Sequence, residues 1–160
     1  MAAPLVPQDA ARVDTLVAVF TRIGEERMKD LSLYNGSLTV EAVGFRTVNF
    51  PSQGDWLAGI LVTPWFMNLM LLPPSPETFA GVEPGTRRKI ALPKGEETFV
   101  VNEIEEVGSY AALSIHSPMG QFPEHNAAAT AAWAVVESYF LPPSGETPQD
   151  CSFGWPEHKR

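Results

Sequence analysis

The side chains able to do acid–base, nucleophilic or metal chemistry are few and scattered in this sequence. His116 stands beside Ser117, but adjacency alone does not activate a hydroxyl. A hydrolase needs a base, an orienting partner and oxyanion donors that converge, and the chain has no G-x-S-x-G elbow. His116, Glu124 and His125 would have to meet across a loop-to-helix junction to share a metal. Consecutive helical residues point about 100° apart, and neither H-E-x-x-H nor another established ligand spacing occurs. A solvated or capping role is the simpler reading of each histidine, His158 included. Gly81, Gly85 and Gly95 are separated by turn residues without a phosphate-cradling pattern. Cys151 is the single cysteine, so one chain builds no disulfide, thiolate zinc site or iron–sulfur cluster. Asp150 beside it opposes thiolate formation. These residues predict no catalytic centre, no cofactor and no metal.

Charge narrows the partners. Nineteen Asp and Glu against eleven Lys and Arg leave a net charge of −8. Such a surface repels phosphate backbones, which excludes nucleic acid, and it suits a basic peptide. The longest apolar tract, Leu57 to Leu72, is short for a membrane span and is broken by Pro64 and Asn68. The first 20 residues lack the charged start and apolar run of a secretory signal. A reduced, cytoplasmic location is the expectation.

Positioning these residues requires a segmented chain, and 15 prolines and 12 glycines supply the breaks. Residues 1–8 read as a loose lead. From Asp9, a candidate N-cap, the apolar stripe Val13, Leu16, Val17, Phe20, Ile23, Met28 and Leu31 has helical spacing. Asn35-Gly36 marks a turn. Strands are expected over 38–48, 56–63, 67–72, 89–92, 98–103 and 110–115, with a helical turn near 77–80. A second helix over 124–140 follows Pro123, with Ala128, Ala131, Ala132, Val135 and Tyr139 on one face, broadened by Trp133, Val136 and Phe140. Residues 142–160 read as a flexible tail. The expected architecture is a single α+β domain over 9–141, a mainly antiparallel sheet flanked by N- and C-terminal helices.

Four segments carry a family resemblance. Residues 28–33 (MKDLSL), 56–67 (WLAGILVTPWFM), 92–99 (LPKGEETF) and 112–119 (ALSIHSPM) resemble the recurring blocks of the HybE/HupJ/HoxT proteins. Together the blocks span roughly residues 12–140; Thr63-Pro64-Trp65 combined with Ser117-Pro118 is the specific part. The resemblance implies an assembly chaperone, not an enzyme, that serves a nickel–iron uptake hydrogenase. Its partners would be the small or large subunit precursor, including a twin-arginine signal peptide, and other maturation factors. Release would wait on cofactor insertion. Some relatives are joined to a rubredoxin-like segment, but these residues hold no pair of C-x-x-C motifs, so no such iron site is expected.

Three patches are candidates for partner contact. Trp65, Phe66 and Met67 offer large, adaptable apolar area. Ser117, Pro118 and Met119 lie on an expected loop. Glu103, Glu105 and Glu106 would attract a basic stretch, with a strand edge adding backbone pairing. The alternative is a small apolar ligand held between helix and sheet by Trp56, Trp65, Phe99 and Trp133.

Overall fold

A computed structural model describes residues 5–50, 54–140 and 152–153. The elements are α1 (Pro7–Ile23), continued by a π-helical turn (Gly24–Met28), β1 (Glu41–Phe50), β2 (Gly54–Val62), β3 (Met67–Leu72) and a 3-10 turn (Pro76–Phe79). They are followed by β4 (Arg87–Ala91), β5 (Glu96–Ile104), β6 (Gly108–His116), α2 (His125–Phe140) and β7 (Ser152–Phe153). The strands form one sheet in the order β1-β2-β3-β6-β5-β4-β7, and every pairing is antiparallel. The expected α+β fold is therefore present, with six of its strands and both helices legible in the sequence.

The sheet is covered on both faces. On one, Ala128, Ala132, Val136, Tyr139 and Phe140 of α2 pack with Trp56, Ile60, Leu69 and Phe99. On the other, Leu16 and Phe20 of α1 pack with Leu57, Leu61, Trp65 and Met70. Consecutive residues of β2 thus enter opposite cores, and every residue from Trp56 to Val62 is buried. That is why this stretch shows no apolar–polar alternation: a strand covered on both faces has no solvent side to encode. The tract from Leu57 to Leu72 resolves into two strands joined at Pro64, which cannot donate a ladder hydrogen bond.

β1 carries a bulge. Its register to β2 shifts between Val43 and Arg46, and Gly44 there has φ +69°, a conformation that disfavours a side chain. A Cβ on Gly44 would also stand 2.6 Å from Val136 Cγ1 of α2. The extra residue brings Phe45 over Gly59 of the neighbouring strand, where a Cβ would lie 2.7 Å from Phe45 Cα. A rotamer change cannot relieve a clash with backbone.

Several boundaries differ from expectation. The helix begins at Pro7, not Asp9, with Val6 at the cap and Asp9 inside the first turn. Proline is suited to that position because its missing N–H would be unpaired there anyway, so residues 7 and 8 of the expected lead are helical; residues 1–4 of it lie outside the described residues. The α-helical stripe stops at Ile23, and Leu31, expected to face the core, is 46% exposed. β1 starts at Glu41, with Leu38 buried ahead of it in the loop. Trp133, assigned to the packed face of α2, is 47% exposed. The tail expected over 142–160, with Cys151 and His158, lies outside the described residues apart from Ser152–Phe153, which pair with β4. No helix among the described residues is long and apolar enough to cross a membrane.

Two outcomes follow from this packing. Gly59→Ala should destabilise the domain by about 1–3 kcal/mol, read from urea or thermal unfolding. Burial pushes the Tyr110 hydroxyl up to about 12, so the folded state disfavours its ionisation. Below pH ~10 that contribution is complete; stability should fall by roughly 2–3 kcal/mol as pH rises towards 12. Tyr110→Phe should flatten the alkaline limb of a pH–stability profile.

Candidate protein-docking site

The β2–β3 turn is built around one hydroxyl. Thr63 is fully buried, and its Oγ1 accepts from the backbone N–H groups of Trp65 (3.2 Å) and Phe66 (2.9 Å). It donates to the Phe66 carbonyl at 3.1 Å, which also accepts from Thr63 N at 2.8 Å. The turn drives Trp65 inward. Its indole stacks on Tyr34 at 6.3 Å between centroids and meets Phe66 edge-on at 5.5 Å. Phe20 of α1 contacts both rings. Gly24, the first residue of the π-helical turn, leaves room for the indole: a Cβ there would be 3.0 Å from Trp65 Cζ3. Trp65 and Met67 consequently face the interior, and Phe66 alone of these three candidates is partly exposed.

Asn35 ties this turn to two other segments. Its backbone N–H donates to the Pro64 carbonyl at 2.8 Å. Its Nδ2 donates to the carbonyls of Met119 and Phe122, both at 2.9 Å, and its Oδ1 accepts from Ser37 N at 3.0 Å. All its strong hydrogen-bonding groups are thereby used, since its own carbonyl accepts from Leu38 N. Sequence reading found the turn at Asn35-Gly36 but not this role, because a side-chain amide leaves no pattern that names distant carbonyls.

Between the segments 32–37 and 118–123 lies a groove of about 460 Å³ that includes Leu33, Tyr34, Pro118 and Phe122. Leu33 is 40% exposed, as unusual for a large apolar residue here as Leu31 before it. Ser117 and Pro118 are exposed, joined by a cis peptide, whereas Met119 is fully buried. His116 Nδ1 lies 3.0 Å from Gln121 Nε2, and its ring meets Phe122 edge-on. His125 Nδ1 accepts from Thr39 N at 3.2 Å, which leaves Nε2 to donate to Glu41 at 2.7 Å. Both histidines thus brace loops. Among the described residues no three His, Cys, Asp or Glu side chains converge as metal ligands.

The acidic candidates sit elsewhere. Glu103 is the penultimate residue of β5, Glu105 and Glu106 lie in the turn before β6, and all three are exposed. Ser117–Met119 follow the other end of β6, on the order of 25 Å away along a nine-residue strand. Glu106 is already engaged: Arg22 lies 2.6 Å from its carboxylate. That hydrogen bond, helped by one from the backbone, holds the Glu106 carboxyl below the usual range. A polar groove of about 570 Å³ adjoins the turn, bounded by Asp9, Arg12, Asp55 and Glu105. Burial lowers Arg12, with Asp9 opposing.

The alternative, an apolar ligand pocket lined by Trp56, Trp65, Phe99 and Trp133, does not assemble. Trp56 and Phe99 lie in the α2-side core and Trp65 in the α1-side core, separated by the sheet itself. Trp133 is largely at the surface.

Comparison with known proteins places the chain in a family. The family model described as NiFe-hydrogenase assembly, chaperone, HybE matches residues 11–157. A probable rubredoxin HupJ of Rhodobacter capsulatus is 41% identical over 130 residues, covering 81% of this chain and 45% of that protein; the chain therefore spans less than half of that relative. The hydrogenase expression/formation protein HupJ of Bradyrhizobium diazoefficiens is 40% identical over 133 residues, 83% of this chain and 74% of the relative. The solution structure of HybE from Escherichia coli superposes with a TM-score of 0.61 at 20% identity, covering 86% of this chain and 80% of that one, a likeness of fold. On the extent of the family match and these identities, the chain belongs to the HybE family of NiFe-hydrogenase assembly chaperones.

Proposed function

We propose that this chain is a cytoplasmic chaperone that holds the precursor of one or more nickel–iron uptake hydrogenase subunits and delays twin-arginine export until maturation is complete. It performs no reaction of its own. The observation that carries this reading is the meeting of three sequence-distant segments, 32–37, 63–66 and 118–122, on Asn35. Leu33 is exposed in the groove they form, and Leu31 is exposed two residues before it in the chain; together they are the apolar area that an immature polypeptide would cover.

The acidic turn supplies a second anchor. An extended segment rises about 3.3 Å per residue, so roughly eight residues reach from the Pro118 loop to Glu105. A signal peptide has a basic stretch followed by an apolar one, and that order matches an acidic turn and an apolar groove held apart by one strand. Glu103 and Glu105 are available for this, while Glu106 would exchange Arg22 for a partner cation. Exposed charge pairs contribute little individually, so the acidic turn steers and the groove retains.

Binding of unprocessed and mature hydrogenase subunits to the purified chain tests the reading. The precursor should bind more tightly; equal affinity for both, or none for either, would overturn it. Neutralising Glu103, Glu105 and Glu106 to Gln should weaken precursor binding several-fold at low salt. The difference should vanish near 1 M salt, where the screening length is about 3 Å. Asn35→Ala should cost roughly 2 kcal/mol of stability, because two carbonyls lose their donor, and should loosen precursor binding in parallel. Leu31→Ser with Leu33→Ser should weaken binding while leaving the melting temperature nearly unchanged.

A further inference from the structure

Helix α2 lies over the outermost strand of the sheet as well as over its neighbour. A Cβ placed on Gly44 of β1 would stand 2.6 Å from Val136 and 3.4 Å from the Trp133 ring. The Arg46 guanidinium lies 5.6 Å from the centre of the Phe140 ring. On one flank of the helix, Ala131 and Val135 pack against the core. On the other, Asn126, Thr130, Trp133 and Glu137 recur at helical spacing, and all four are exposed. Because the Trp133 ring reaches Gly44, this exposed flank overlooks the outer side of β1.

The outer backbone of β1 is unclaimed. Among the described residues the strand pairs with β2 alone and stands at the end of the sheet. Over residues 41–49 a single backbone group bonds elsewhere, the Gly44 carbonyl, which accepts from Arg46 Nε at 3.1 Å. Thr47 and Asn49 are exposed. Beyond the bulge the register to β2 runs without a break from Arg46 onward. In such an antiparallel pair, alternate residues turn their N–H and C=O away from the partner. An open edge overhung by a helix is a groove that receives an extended peptide as an added strand.

Arg46 narrows the choice of occupant. It is half-buried, and among the described residues it forms no ion pair. Burial lowers its pKa, with Glu137 opposing. Its Nε is spent on Gly44, whereas its terminal N–H groups have no acceptor among the described residues. A carboxylate directly across a ladder from a cation is attracted to it, more strongly where water is partly excluded. A second copy of the chain fits poorly. Each carries a net charge of −8, and pairing within residues 46–50 would set Arg46 opposite Asn49 or Phe50, not a carboxylate.

We infer that the groove between the outer edge of β1 and helix α2 is a strand-addition site for an extended segment of a partner polypeptide, with a carboxylate beside Arg46 and an apolar side chain beside Trp133. Main-chain hydrogen bonds supply affinity without demanding one sequence, and the two side chains select. None of these residues lines the groove at Asn35, and the inference does not depend on the hydrogenase reading.

Amide hydrogen exchange of the full chain, resolved by NMR, tests it. The probe is a capped heptapeptide with leucine, glutamate and leucine alternating with threonine; its control has lysine in place of glutamate. In the free chain the outward amides within 46–49 should exchange faster than those of β2. The glutamate peptide should slow them, and the lysine peptide should not. Trp133→Ala should weaken binding roughly tenfold at nearly unchanged melting temperature. Arg46→Gln should weaken the glutamate peptide several-fold and close the gap between the two peptides. Should that change disturb the bulge, Arg46→Lys keeps the charge and should retain the preference for glutamate. Edge amides already protected in the free chain, protection that grows with protein concentration instead of peptide, protection outside β1, equal protection by both peptides, or undiminished binding to the Trp133→Ala and Arg46→Gln variants would overturn the inference.

Discussion

Double-sided burial of the β2–β3 hairpin is the constraint from which the remainder of the molecule follows. Two strands covered on both faces place every apolar side chain from Trp56 to Val62 and from Met67 to Leu72 in one core or the other. Neither face can then slip in register without moving apolar residues between the two cores. The turn that joins them must also be buried, and buried backbone groups need partners. Thr63 meets that need with a single hydroxyl, and the turn so fixed sends Trp65 under the loops that form the groove. The bulge at Gly44 and the bare backbone of Gly59 are further consequences, because β1 and α2 must approach the hairpin closely to complete the core.

Legibility in the sequence tracked this division. Elements with a solvent side, such as α1 from its 3.6-residue stripe and β5 from its alternation, could be read directly. β3 was read to the residue, as Met67–Leu72, because Pro64 and Pro73-Pro74 bracket it. The distribution of the helices over two faces was not readable, since a run of buried residues does not say which core each enters. The same ambiguity joined Trp56, Trp65 and Phe99 into one imagined pocket. Of the candidate contacts, the loop residues Ser117 and Pro118 are exposed as their position suggested, while Trp65 and Met67 are buried. Asn35 was legible only as a turn former. Its role depends on carbonyls more than 80 positions away, and nothing local in a sequence specifies those.

A protein that holds an unfinished partner has to present apolar surface without collapsing onto it. Here Leu31 and Leu33 are exposed on a segment held by the saturated Asn35 and by the stacked Tyr34–Trp65 pair. Rigidity beneath and exposure above are thereby separated into different residues. A preformed rim loses less conformational freedom on binding than a floppy one, which suits reversible capture.

The strand order has a further meaning for how the chain finds its fold. β1-β2-β3 and β6-β5-β4 are each meanders of sequence neighbours, and a single ladder, β3 to β6, unites them. Within each meander the loops close cheaply. The joining ladder brings together residues some forty positions apart, such as Leu71 and Ala111, and carries the main cost of loop closure. The groove at Asn35 also draws on segments flanking both halves of that ladder, so it exists only once the two meanders have joined.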